Sequence, residues 1–169
     1  SKFIIRQAHI CDINGIISFI KTYWKTDHIY VKDKNFFKYD FLIGDEVNYI
    51  IAVNSLNDIC GILGFISYNA KSQKELFTVM WKVIPNSGDP MLGIRLLKYL
   101  IEVNPGIAVS TVGANSKTLG IYKHLGFKVG KMEHFFIPNT ALKGFSVLKA
   151  DSLEPSRSEE RRVGKECLR

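Results

Sequence analysis

Tyr122 stands in NSKTLGIYKHLGF, residues 115–127, where the spacing predicts a helix running from Asn115 to a closing glycine, Gly126. Leu119, Tyr122 and Leu125 recur at three-residue steps on one face, and Gly126 suits the left-handed residue at which helices end. Tyr122 therefore falls in the last helical turn, four residues before the glycine. Flanking segments frame that helix: residues 108–112 (AVSTV) are a β-branched run ending at Gly113, and residues 127–129 restart extended structure. A tyrosine that merely closes an amphipathic helix is the commoner case, so the chemical reading rests on the surrounding pattern.

A second place for chemistry lies upstream. Residues 76–84 (LFTVMWKVI) predict a strand and residues 92–103 (LGIRLLKYLIEV) a helix, with Leu92, Leu96, Tyr99, Leu100 and Val103 on its apolar stripe and Pro105 and Gly106 beyond it. The start of such a helix offers unpaired N–H donors and partial positive charge, which suit a phosphate. In the connecting SGDPMLG, however, Pro90 lacks an N–H and Asp89 adds negative charge. On turn statistics alone the loop reads equally as an ordinary Pro/Gly turn or as an adapted phosphate loop.

The placing of Asn115, Tyr122, Gly126 and Phe127 resembles the asparagine, small residue, tyrosine, Gly-Phe signature of the GNAT acyltransferase superfamily. Thr118 stands where that family usually has alanine, and Gly120 costs the helix about 1 kcal/mol relative to alanine. Aligned without gaps, Val83, Pro85 and Gly93 fall on family positions, whereas Gly88, Asp89 and Met91 replace a basic or amide residue and two glycines. The resemblance implies an α/β domain with the GNAT-like acyl-CoA N-acyltransferase fold: a mixed, mostly antiparallel central sheet with one parallel, splayed strand pair, flanked by helices. It implies acetyl-CoA as acyl donor, bound through Trp81, Lys82, Val83, Gly88, Met91, Leu92, Gly93, Ile94, Asn115, Lys117 and Tyr122, with the pantetheine pairing to residues 81–83 in the gap of the splayed pair. Arg95, Lys98 and Lys117 would offset the charge of Asp89. It also implies direct attack of an amine on the thioester, with Tyr122 as acid for the CoA thiolate, a main-chain N–H near Val83 at the oxyanion, and no metal.

No motif places the general base, for which Glu75, His28 and Asp27 are candidates, although a helix-end or surface role is the commoner one for a histidine such as His28. Residues 23–37 (YWKTDHIYVKDKNFF) resemble a bacterial branch of the superfamily linked to surface-sugar synthesis. That makes the amine of an amino sugar, free or nucleotide-linked, the favoured small-molecule acceptor. Phe36, Phe37, Tyr39 and Phe41 read as core packing rather than as a sugar platform. A protein or peptide amine is the alternative acceptor, and a catalytically silent ligand-binding module with the same fold is the alternative of a different class.

The chain has 169 residues and a formal net charge of +7. Residues 157–167 (RSEERRVGKEC) resemble the in-frame translation of a sequencing adapter, so the domain is expected within residues 1–150, truncated at both ends, with 151–169 a non-domain tail. Residues 157–169 hold five basic and three acidic side chains, a net +2, which leaves +5 for the remainder. That remainder suits one globular domain. Its lysines are scattered without a nucleic-acid motif, so a nucleotide-bearing cofactor explains the charge and no nucleic-acid partner is expected. Cys11 and Cys60 lack metal spacing and any His partner pattern; they read as buried thiols of a cytoplasmic chain, and neither reads as a nucleophile. No signal peptide or membrane span is visible, and a homo-oligomer is compatible with the sequence. Further expected elements are a strand at 3–8, a helix at 12–25 capped by Asp12, a helix at 34–41, and strands at 48–53 and 59–67 around a hairpin loop. A strand at 106–112 is expected to run parallel to that at 76–84, and strands at 132–137 and 144–148 to complete the sheet.

Overall fold

A computed structural model of the chain describes residues 3–67, 75–105, 107–132 and 167–168. They fall into two units, residues 1–111 with 168–169, and residues 112–167.

The first unit is organised by β3 (Glu46–Val53), which is buried at nearly every position after Glu46. A strand covered on both faces reads as an apolar run rather than an alternation. Val47, Tyr49, Ile51 and Val53 join Ile13, Ile16, Phe19 and Ile20 of α1 (Ile13–Tyr23) and Phe37 and Phe41 of α3 (Lys34–Phe41) in one core cluster. Ile50 and Ala52 take the opposite face, where α4 (Leu92–Val103) packs on β3 and on β4 (Ile59–Ser67) with Leu92, Leu96, Leu97 and Leu100 fully buried. Each fully buried aliphatic side chain contributes roughly 1.5–3 kcal/mol, so both layers are strongly specified.

The strand order is β1-β3-β4-β5-β6-β7, with β2 (Leu42–Ile43) paired to β3 off that path. β1 (Ile4–His9), β3, β4 and β5 (Glu75–Val83) pair antiparallel in turn, and β6 (Ala108–Thr111) pairs parallel to β5. This is the expected mixed sheet with its one parallel pair and flanking helices. β7 (Cys167–Leu168) comes from the tail that the sequence sets apart, and lies next to β6 in the order.

The expected helix at 12–25 is shorter. Residues 10–12 form a single 3-10 turn, and the Asp12 carboxylate accepts the His9 N–H (2.8 Å) and both Arg6 Nη atoms (2.7 and 2.9 Å), so it caps that turn and ties it to β1. α2 (Ile29–Lys32) is an unforeseen single turn, and Asp33 then caps α3 by accepting the N–H groups of Asn35 and Phe36.

In the second unit α5 (Ser116–His124) ends as the pattern predicts. Gly126 has φ +84°, its N–H donates to the Lys123 carbonyl, and the Phe127 N–H donates to the Tyr122 carbonyl, the paired bonds of a Schellman motif. Extended structure does not restart at 127–129, where Lys128 makes only an isolated bridge. Met132 is in no regular element, and the remainder of the strands expected at 132–137 and 144–148 lies outside the described residues, as does Gly106. Among the described residues no helix is long and apolar enough to cross a membrane.

Candidate acyl-transfer site

The parallel ladder between β5 and β6 is short. It pairs Glu75 with Ala108, Leu76 with Val109 and Phe77 with Ser110, and β5 then continues through Val83. Hydroxyls take over where the ladder stops: Thr78 Oγ1 donates to the Ser110 carbonyl (3.3 Å) and Thr111 Oγ1 to the Thr78 carbonyl (3.2 Å). On its other side β5 remains paired with β4 as far as Val83 opposite Gly61, and the Ile84 N–H donates to the Cys60 carbonyl (2.9 Å). Successive N–H groups alternate across a strand, so the N–H of Val83 is directed away from β4.

This length of β5 carries a bulge. Ile62 to Gly64 on β4 faces Lys82 to Val79 on β5, one residue more, and Met80 within that step has φ +48°. Beyond the bulge, Trp81 Nε1 donates to the Gly93 carbonyl in the first turn of α4 (3.1 Å), joining two expected cofactor residues.

The loop into α4 is closed on itself. Asn86 and Gly88 both have positive φ, and Ser87 Oγ accepts the Asp89 N–H and donates to the Asp89 carbonyl. Asp89 Oδ1 accepts the Met91 N–H (2.9 Å), its Oδ2 meets Arg95 Nη1 at 2.7 Å, and its carbonyl accepts the Leu92 N–H (3.2 Å). Asp89 therefore closes an Asx turn ahead of α4, a role that its spacing two residues before Met91 could have signalled. Arg95, expected to compensate for Asp89 toward a ligand, is its ion-pair partner. Leu92 is fully buried and its N–H is engaged, so neither its side chain nor its N–H is presented to a cofactor as the site assignment required. Met91 is half exposed at the N-cap.

In the second unit, Asn115 precedes α5, its carbonyl accepting the Thr118 N–H and Oγ1, and Lys117 lies in the first turn. Tyr122 is buried and meets Phe127 edge-on, with centroids 5.1 Å apart. Apolar contact between these two positions commonly accompanies a Schellman motif, so the Tyr122 ring has a local structural role beside any role of its hydroxyl.

The candidate bases Glu75, His28 and Asp27 all belong to the first unit. Glu75 opens β5, roughly 26 Å of strand from Val83. That places it at the opposite end of the strand from the expected pantetheine contacts at 81–83. His28 caps α2, its Nδ1 accepting the Tyr30 N–H (3.2 Å) with the rings 4.8 Å apart. Burial, reinforced by Lys25, lowers its pKa below the usual histidine value, with Asp27 opposing. Its structural role is thus defined, and Asp27 lies exposed 3.6 Å from Lys25. Cys60 is buried as expected, but Cys11 is exposed and lines a cavity of about 400 Å³ between α1 and residues 57–59, which corrects the reading of both thiols as buried. The sequence singled out neither Tyr49, whose buried hydroxyl donates to Met80 Sδ (3.3 Å), nor the Tyr30 hydroxyl bond to Asp40 (2.7 Å). Among the described residues no group of three or more His, Cys, Asp or Glu is placed to hold a metal.

The chain matches no protein-family model and no curated protein. Among solved structures it is similar to a candidate acetyltransferase from Pyrococcus horikoshii, with a TM-score of 0.61 at 18% identity over 78% of this chain and 45% of that one. It thus spans less than half the length of that protein. It is similar to the GNAT-family N-acetyltransferase YhbS from Escherichia coli in complex with CoA, with a TM-score of 0.58 at 17% identity over 75% of this chain and 69% of that one. Naa50 from Arabidopsis thaliana, in complex with the bisubstrate analogue CoA-Ac-MVNAL, matches with a TM-score of 0.61 at 11% identity over 79% of this chain and 87% of that one. The fold is therefore that of the GNAT acetyltransferases. Fold alone does not establish activity, which depends on the residues of the site.

Proposed function

We propose that the protein is an N-acetyltransferase that moves an acetyl group from acetyl-CoA to the primary amine of a small acceptor, an amino sugar or nucleotide-linked amino sugar being favoured. The observation that carries this reading is the parallel pair that stops at Phe77–Ser110 while β5 runs on to Val83 among the described residues, a strand extension to whose main chain a pantetheine amide would hydrogen-bond. Trp81, Lys82 and Val83 would hold the pantetheine, Gly93 and Ile94 at the start of α4 the pyrophosphate, and the Tyr122 hydroxyl would protonate the departing thiolate. Direct transfer needs both substrates bound together, and proximity can supply about 7–11 kcal/mol of the barrier in favourable cases. The amine's proton acceptor is unassigned, since Glu75 stands at the far end of β5 and His28 is engaged as a cap.

Thiol release from acetyl-CoA, followed across a panel of amino sugars and peptides, tests this reading. Tyr122→Phe keeps the ring contact with Phe127 and is expected to lower kcat about 10²–10⁴-fold with little change in KM for acetyl-CoA. Unchanged turnover in that variant would remove Tyr122 from the chemistry. A second reading, a silent ligand-binding module, is favoured by Asp89, which places a carboxylate where the donor's phosphates would approach. It predicts binding without turnover, or no binding of acetyl-CoA at all.

A further inference from the structure

Three described non-glycine residues have positive φ, Asn57, Met80 and Asn86, and Met80 alone of these lies inside a strand. Asparagine tolerates the left-handed region, whereas methionine carries a steric penalty there. Something must therefore hold Met80.

The neighbouring strands show what does. Tyr49 pairs with Gly64 on β4, and Gly64 pairs with Val79 on β5, so these three residues form a row across the sheet, ending beside Met80. A Cβ on Gly64 would lie 2.8 Å from Tyr49 Cζ and 2.9 Å from Val79 Cγ2. The missing side chain is the space through which the Tyr49 ring crosses β4. That ring is fully buried, stacked on Phe37 at 5.5 Å and edge-on to Phe41 at 4.8 Å. Its hydroxyl reaches Met80 Sδ at 3.3 Å. Burial, with the negative charge of Asp40 and a nearby Tyr30, favours the neutral phenol, so the hydroxyl remains a donor.

We infer that Tyr49, reaching through the gap at Gly64 to the Met80 thioether, is a positioning residue that sets the bulge of β5. Main-chain groups alternate with period two, so one inserted residue reverses which groups at 81–83 face away from β4. Tyr49 thereby governs the presentation of the donor-binding strand from the α3 side of the sheet. This consequence for the donor rests on the acetyl-CoA reading above; the conformational claim does not.

A double-mutant cycle tests it. Tyr49→Phe removes only the hydroxyl, and Met80→Leu removes the acceptor sulfur at nearly constant volume. Both are made, singly and together, in a Trp24→Phe background, which leaves Trp81 as the sole tryptophan reporter. Each single change is expected to shift Trp81 emission and acrylamide quenching in the same direction. Each should weaken acetyl-CoA binding about fivefold, the worth of one hydrogen bond, with the double variant no worse than either single one. Met80→Gly placed in Tyr49→Phe should restore Trp81 emission and binding, because glycine adopts positive φ without strain.

Additive effects of the two singles, or unaltered Trp81 emission in folded variants, would overturn the inference. Should Tyr49→Phe fail to fold, Met80→Leu alone carries the same prediction. If the unmodified chain binds no acetyl-CoA, the functional reading fails, and the emission cycle still decides the role of Tyr49.

Discussion

Asp89→Asn separates the electrostatic role of the α4 loop from its structural one. Asparagine retains a side-chain oxygen for the Met91 N–H, so that turn persists, while the ion pair with Arg95 is lost. That pair is partly exposed, with side-chain accessibilities of 37% for Arg95 and 22% for Asp89, and such pairs contribute about 0.2–1 kcal/mol. The melting temperature is thus expected to fall by about 4 °C or less. Affinity moves the other way. A carboxylate about 6 Å from a dianionic pyrophosphate costs about 1.4 kcal/mol in water, and physiological salt roughly halves this. Acetyl-CoA should therefore bind about three- to tenfold more tightly to Asp89→Asn, with the larger gain at low salt. Calorimetric titration at two ionic strengths measures this. Unchanged or weaker affinity at low salt, in a protein that melts near the wild-type temperature, would refute the placing of the pyrophosphate at α4. Asp89→Ala, which also removes the acceptor of the Met91 N–H, should lose about 1 kcal/mol more stability.

Asp12→Asn should destabilise the protein by about 1–2 kcal/mol at neutral pH, because it removes a bidentate charge-assisted bond to Arg6. The Arg6 hydrogen bonds hold the Asp12 carboxyl below its ordinary value of 3.8, so this stabilisation is present above 3.8 and lost as pH falls through the lower folded value; urea unfolding should show the two proteins converging at acid pH. His28 has a lowered folded pKa, so its contribution is complete above 6.5 and declines as pH falls through the folded value, when a proton on Nδ1 displaces the Tyr30 N–H bond. His28→Asn keeps an acceptor without that proton, and its thermal melts should lack this part of the wild-type pH dependence; an identical pH profile would exclude His28 as its source. Gly126→Ala should cost about 1 kcal/mol in thermal unfolding, since φ +84° at Gly126 is strained for any side chain while nothing lies within 4 Å of the added Cβ.

The elements read most accurately from the sequence are those specified by local physics. The ranges of α3, α4 and β4 agree with the expected ones because an apolar stripe, a cap or a β-branched run lies within the element itself. The Schellman ending at Gly126 is equally local, and the parallel pairing of β5 and β6 follows from the crossover helix between them. Asp89 was legible as a charge in the loop before α4, but its engagement of Arg95 depends on how the loop turns back over the first turn of α4. Glu75 was plausible by residue type, yet the direction of β5 puts it at the far end of the strand from Val83. Neither Met80 nor Tyr49 carries a signal in its own neighbourhood: methionine has no preference for positive φ, and the hydroxyl that meets it comes from 31 positions away in the chain. Sequence alone determined the ranges of α3, α4 and β4 and where α5 must stop, because those choices are made by residues a few positions apart. Tertiary structure decided how β5 is bent and what occupies the start of α4, because those depend on side chains that meet only after the sheet has assembled.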